Sequence, residues 1–595
     1  MRLVRRLQAL ALAAGFLLVL MGIVAVVPVL IEPTRAAIAV AATLFVLVLL
    51  RLAQKRVRRG TVLEIDLDQG VVEEPRPGPL GRYTNRGAVV LRDVTDALHR
   101  AERDDRIVGV VARLGNGNLG VGQAQELRDA VKRFGESGKR TVAFAESFGE
   151  AGLATVDYYL ATAFAEIHLQ PNGDVTAGGV VARVPFLRGL LDRVGIVPDL
   201  DHRREYKAAK YRLTEEGFTA PHEEATRAVL EDQFGQMVSG IAADRDLPPA
   251  RVRELIDHAP LLASEAQASR LVDRLSYRDE AYRSALQDGK GLLFIESYLK
   301  RAGRPHRRGE RVALIYGTGA IQRGRSRFDP MTRGRSFGAD DVATAFRDAI
   351  DDKKVKAIVF RVDSPGGSAV ASEVVRRETV RARDAGKPVV VSMGNVAGSG
   401  GYWISSMADR IVAQPGTLTG SIGVVAGKLA MRDAWRRVGV NWDELHLGRN
   451  ATFATADDPY TDSERERLQA ILDSIYDEFK RLVADGRSLS PSEVEELAKG
   501  RIWSGARALE LGLADEMGGL DRAVELAREL AEIPRQRGLE LRTYPRQKGI
   551  SLPGRKESSE PIYELTAALL DLVDMVSGES RTPAVEVVMP VYWPR

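Results

Sequence analysis

Beyond residue 60 the chain carries one pattern twice, and this constrains the fold more than any other feature. The first copy reads DVTDALHRAERDDRIVGVVARL from Asp93, GKRTVAFAES from Gly138 and AEIHLQPNG from Ala165. The second reads DVATAFRDAIDDKKVKAIVFRV from Asp341, GKPVVVSMGN from Gly386 and ADRIVAQPG from Ala408. The offset is 248 residues for the first two blocks and 244 for the third, aligned on Gln170-Pro171 and Gln414-Pro415. Solenoid units repeat every ~20–45 residues, so this is a duplicated domain.

Each copy alternates helical patterns with short β-rich runs such as Ile107–Leu114 and Val355–Val362. That alternation predicts an α/β fold of β-α-β units around a parallel sheet. Ligands of such sheets gather at the carboxyl ends of the strands. In the second copy those ends carry Asp363-Ser-Pro-Gly-Gly-Ser368 and the stretch GNVAGSGGYW from Gly394. The matching loops of the first copy are Gly115-Asn-Gly-Asn118 and Gly149 to Tyr158, where Thr155 falls opposite Ser399 and nothing resembles SPGG. One copy alone keeps the serine.

The residues before the duplication have another character. Leu7 to Ile31 is uncharged over 25 residues, enough to cross a bilayer as a helix. A second uncharged run, Ala36 to Leu50, follows Glu32-Pro-Thr-Arg35 and is short for a span. Residues 1–60 hold nine Lys/Arg against the single Glu32, so the basic balance of the chain (+4 overall) belongs to a membrane flank. This argues against a nucleic-acid footprint. If both segments cross, the globular part lies in the cytoplasm; with one crossing it lies outside. The absence of cysteine removes thiol nucleophiles, disulfides and thiolate metal sites.

Several chemistries fail on spacing. There is no GxxxxGK[ST] phosphate loop, no G-x-S-x-G elbow and no H-E-x-x-H metal motif, and the seven histidines form no triad spacing. What remains is Ser399 at the start of a predicted helix, flanked by glycines that let a substrate backbone come close. SPGG after a buried strand offers N–H donors of the kind that hold an oxyanion.

DSPGGSAVASEVVRRE, GKPVVVSMGNVAGSGGYWIS and QPGTLTGSIGV resemble the signal peptide peptidase A family in its long, two-repeat bacterial form. The resemblance covers most of residues 61–530. It implies a membrane-bound serine protease built from two tandem Clp protease/crotonase-like repeats, with a Ser–Lys dyad. Ser399 matches the nucleophile. Lys207, in Tyr206-Lys-Ala-Ala209, matches the general base, with Lys210 a nearby competitor. Ser421 matches the serine that orients the lysine, and Gly366 or Gly367 the oxyanion donor. The family often has two alanines before the serine, where this chain has Ala397-Gly398.

The implied domains are a membrane anchor (1–60), a lysine-bearing repeat (61–300), a serine-bearing repeat (301–540), and a linker with a tail helix (541–595). The implied substrates are signal peptides and other unfolded apolar segments, cut by a homotetramer at the bacterial inner membrane with its globular part in the periplasm. Neither cofactor nor metal is expected. One argument for a composite site needs no family. The counterpart of the lysine stretch in the second repeat, Leu447 to Phe453, has no lysine, so each repeat holds the half that the other lacks. Two alternatives stand at this point: a crotonase-like acyl-CoA enzyme and an inactive membrane scaffold on a protease fold.

Overall fold

The computed structural model describes residues 57–545, apart from 75–87, 117–118, 151, 288, 327 and 330–333, together with the strand Glu586–Val588. The apolar segments before residue 57 and the expected helix Ile562 to Ser577 lie outside the described residues. Among the described residues no helix is long and apolar enough to cross a membrane.

Two sheets share one strand order. In the first repeat the order is Arg274–Leu275, Glu166–Leu169, Arg140–Ala145, Ile107–Arg113, Thr61–Asp66, Gly291–Phe294, all parallel. The second repeat has Glu516–Met517, Arg410–Ala413, Val389–Gly398, Val355–Ser364, Glu310–Thr318, Leu539–Tyr544, again parallel. The strand Leu418–Gly420 also pairs with the end of Val389–Gly398 and continues antiparallel to Ile502–Ser504.

Parallel sheets need cover on both faces, which is why their strands read as unbroken apolar runs. Val355–Ser364 shows this: Ile358, Phe360 and Val362 pack on one face of the sheet, Ala357 and Val359 on the other. A second echo of the duplication appears in two 26-residue helices, Ala220–Arg245 and Asp462–Arg487.

The repeats are locked together. Arg361, on a central strand of the second repeat, is buried between Glu73 (2.9 Å) and Glu126 (2.8 Å) of the first. Gln123 N–H donates to Asn395 Oδ1 (2.9 Å) and Gly416 N–H to Gln125 Oε1 (2.7 Å). The strand Val197–His202 leaves the first repeat and pairs antiparallel with Val425–Ala430 of the second, from His202↔Val425 to Val197↔Ala430. That crossing delivers the residues that follow His202 to the second sheet.

Candidate active site

Ser399 stands where the strand Val389–Gly398 hands over to the helix Gly400–Ser405. Its backbone lies at φ 55° and ψ −118°. For a residue with a Cβ this conformation costs on the order of 1–3 kcal/mol and persists only where the surroundings impose it. They do so from both sides. Ser399 N–H donates to Gly420 O (2.8 Å), and Ser399 O accepts from Trp403 N–H (2.8 Å) to open the helix. The helix is anchored in turn by Tyr402 Oη donating to Leu513 O (2.9 Å), Trp403 Nε1 to Glu373 (3.1 Å), and the Trp403 ring against Phe479.

The neighbouring glycines are a steric demand. A Cβ at Gly400 would come within 2.6 Å of Ser372 Oγ, and one at Gly401 within 2.6 Å of Ser364 O. These contacts explain GSGG better than slack does.

Lys207 arrives by the crossing strand. Arg203 N–H donates to Val424 O (3.0 Å) and Tyr206 N–H to Lys499 O (3.1 Å), so the chain on both sides of the arm's end is fastened to the second repeat. The guanidinium of Arg501 lies over the rings of Tyr206 and Trp503. Lys207 Nζ is then 2.7 Å from Ser399 Oγ, 3.0 Å from Ser421 O and 3.0 Å from Ser421 Oγ. All three side chains are fully buried.

Glycine backbone packs closely against the main chain and stem of Lys207. A Cβ on Gly500 would lie 2.5 Å from Lys207 N, and one on Gly423 would lie 3.2 Å from Lys207 Cδ. Burial without a carboxylate partner drives the Lys207 amine well below its ordinary value. The three neighbours suit a neutral amine. Two N–H groups can donate to the carbonyl and hydroxyl of Ser421, leaving the nitrogen lone pair for the hydroxyl of Ser399.

Lys210 is placed elsewhere, 3.9 Å from Asp201 at the edge of the arm. Among the histidines, His222 packs against Phe186, Tyr211 and Phe218, and burial pulls it down to about 4; His168 is buried against Ser276. None of the histidines hydrogen-bonds to Ser399 among the described residues.

Gly366 and Gly367 form a short strand beside the serine, at φ 103° and φ 150°. Gly367 pairs with Ile321, whose carbonyl would collide with a Cβ placed there. Gly366 N–H donates to Ser364 Oγ (3.2 Å). The Gly367 nitrogen lies 3.2 Å from where a Cβ on Gly400 would sit. Gly400 opens its helix, so its amide has no intrahelical acceptor. The sequence reading did not single out Gly400. Its signal was the position directly after a serine at a strand-to-helix junction.

Comparisons with known proteins show the family. The model of peptidase family S49 matches twice, over residues 133–292 and 381–534, once in each repeat. The chain belongs to peptidase family S49. Protease 4 of Salmonella typhi is 31% identical over 504 residues, covering 80% of this chain and 79% of its own. Serine protease SPPA, chloroplastic, of Arabidopsis thaliana is 29% identical over 81% of this chain and 70% of its own. Protease 4 of Haemophilus influenzae is 30% identical over 74% and 72%. This S49 member is therefore a serine protease with two family repeats.

Proposed function

We propose that this S49 protease is a membrane-attached endopeptidase that cuts signal peptides and other unfolded apolar peptides with a Ser399–Lys207 dyad. The observation that carries the proposal is a buried, carboxylate-free lysine 2.7 Å from a serine held in a strained backbone conformation. A serine hydroxyl is a weak nucleophile until a base removes its proton, and a lysine is a base only when neutral.

Lys207 Nζ takes the Ser399 proton as Oγ bonds to the scissile carbonyl carbon. The oxyanion is met by the amide of Gly367, favoured over Gly366 because the latter already serves Ser364. The amide of Gly400 joins it. Such donors are worth about 2.7–4 kcal/mol each where one has been removed. Protonated Lys207 passes its proton to the amine nitrogen as the C–N bond breaks, leaving Ser399 acylated. Water then adds to the acyl carbon while Lys207 takes its proton. The C–Oγ bond breaks and the proton returns to Ser399. Ser421 holds the amine in line throughout.

The preference for signal peptides, the Clp protease/crotonase-like class of each repeat, attachment through residues 1–60, the homotetramer, and a periplasmic globular part at the bacterial inner membrane follow from likeness to signal peptide peptidase A. They form part of the proposal. The test is hydrolysis of a fluorogenic unfolded peptide by wild type, Ser399→Ala and Lys207→Ala. Both variants are expected to lose at least a thousand-fold in kcat. Wild-type rates in either would rule out the dyad.

A further inference from the structure

Ser421 meets the Lys207 amine from a backbone at φ 51°, in the left-handed region that a residue with a Cβ seldom enters. Its N–H donates to Arg501 O (2.7 Å), one step beyond the pair Gly420↔Ile502 in the antiparallel ladder of Leu418–Gly420 with Ile502–Ser504. The two residues before Arg501 brace the lysine. Lys499 (φ 55°) and Gly500 (φ 81°) are both left-handed. Lys499 O accepts from Tyr206 N–H (3.1 Å), and Gly500 N–H donates to Ile422 O (2.8 Å). Residues 499–501 therefore form a strap that holds both the lysine arm and the serine that aims the amine.

The side chain of Arg501 fastens the same strap to the first repeat. Its guanidinium carbon stands 4.9 Å from the ring centre of Tyr206 and 4.6 Å from that of Trp503. Nη1 and Nη2 fork onto the carboxylate of Glu224 at 2.9 and 2.5 Å. Tyr206 directly precedes Lys207, and Trp503 pairs with Thr419, two residues before Ser421. Glu224 lies on the helix Ala220–Arg245, whose Ala225 and Val229 pack with Leu418 and Ile502. A planar guanidinium can lie against rings while its edge grips a carboxylate with two prongs, a combination an ammonium cannot reproduce. One residue thus reaches the neighbour of the base through its side chain and the orienting serine through its carbonyl.

We infer that Arg501 is a positioning residue of the dyad, which fixes Lys207 against Ser421 by joining Tyr206, Trp503 and Glu224. The inference rests on the assignment of Lys207 as the base for Ser399. Arg501 acts only through Lys207, so its loss lowers kcat, spares KM, and removes nothing further once Lys207 is gone.

A double-mutant cycle tests this, read as the rate of fluorophosphonate labelling of Ser399 in the full-length protein, with kcat and KM on a peptide alongside. Misplacing a catalytic group by ~1 Å can cost about a hundred-fold. Arg501→Met loses the charge and the fork, and is expected to slow labelling and lower kcat by about ten-fold to a hundred-fold, with KM within about two-fold. Arg501→Lys keeps the charge and is expected to recover about three-fold of that loss or more. Lys207→Met and the Lys207→Met, Arg501→Met double variant are expected to label within about three-fold of each other. A merely structural Arg501 would slow the double variant as much as it slows wild type. Wild-type labelling in Arg501→Met, or a larger loss in the double variant, would overturn the inference. Should Arg501→Met unfold at the assay temperature, Glu224→Gln takes its place in the cycle: labelling about three-fold slower or more is expected, and a wild-type rate would overturn the inference. Wild-type labelling in Lys207→Met would instead remove the dyad itself.

Discussion

Lys207 Nζ and Ser399 Oγ stand 2.7 Å apart although 192 residues separate them along the chain. The contact exists because the strand Val197–His202 crosses from one repeat to the other and pairs with Val425–Ala430. Neither repeat holds both groups, so the site forms only when the two repeats dock.

The state of Lys207 sets a pH dependence with a definite sign. Burial lowers its folded value, while the unfolded lysine stays protonated to about its ordinary 10.5. Between those two values the unfolded chain binds the extra proton, so stability rises with pH across that window and is lost as pH falls through the folded value. Lys207→Met removes the penalty. Thermal melts are expected to show Lys207→Met more stable than wild type at pH 7, with the gap closing toward pH 10.5. A Lys207→Met protein less stable than wild type at pH 7 would count against a buried neutral amine.

Activity follows the same proton. On its acid side kcat/KM is expected to fall ten-fold per pH unit once Lys207 charges. Because burial is the cause of the lowered value, Ser421→Ala should leave that midpoint nearly in place. The variant should cost about ten-fold to a hundred-fold in kcat, since the amine loses one of the two atoms of Ser421 that aim it. A full pH–rate profile of Ser421→Ala separates the two effects; a midpoint moved by more than one unit would assign the pKa control to Ser421.

Docking of the repeats depends on Arg361, which is buried between Glu73 and Glu126. Removing one partner of a buried ion cluster leaves charge without compensation and costs about 3–5 kcal/mol. Arg361→Leu is therefore expected to lower the denaturant midpoint by that equivalent and to reduce activity through loss of the folded fraction. Asp363 beside it is raised to about 7, first by burial and next by Glu73. The folded chain thus holds a proton there that the unfolded chain releases above about 3.8, and this group lowers stability as pH rises from there to about 7. Asp363→Asn keeps an oxygen for the N–H of Val396, which Asp363 accepts at 2.9 Å, and should raise stability above pH 7. Denaturant titrations of both variants at pH 5 and pH 8 provide the check.

A methyl group at Gly367 would collide with the carbonyl of Ile321. Gly367→Ala is expected to displace the strand Gly366–Ser368, proposed to hold the oxyanion, and cost at least a hundred-fold in kcat. Retention of wild-type kcat in this variant would move the oxyanion site away from Gly367.

Much of this architecture was legible because the duplication is visible block by block. The runs around Ile107–Arg113 and Val355–Ser364 match in pattern, and they occupy equivalent places in sheets of one strand order. Ser399 was legible as a strand-to-helix junction, since Val389, Val390 and Val391 open a β-rich run and GSGGYW breaks it with small residues. The position of Lys207 was not legible from periodicity. VPDLDH, the strand that carries the chain across, is neither alternating nor continuously apolar, because it is an edge partner held by backbone bonds. Glu73, Glu126 and Arg361 were equally silent: three charges far apart in sequence say nothing of a shared buried site. Val588, which opens the apolar run Val588 to Trp593, belongs to the strand on Gly366–Ser368, and residues 589–593 lie outside the described residues.

The central claim is that neutral Lys207 activates Ser399, and covalent labelling tests it without any assumption about substrate. Full-length wild type, Ser399→Ala and Lys207→Met are treated with a fluorophosphonate, and the adduct is timed and mapped by mass spectrometry. One adduct per chain on Ser399 is predicted for wild type, none at that site in Ser399→Ala, and labelling about a hundred-fold slower or more in Lys207→Met. An adduct on a different serine, or wild-type labelling of Ser399 in Lys207→Met, would contradict the account.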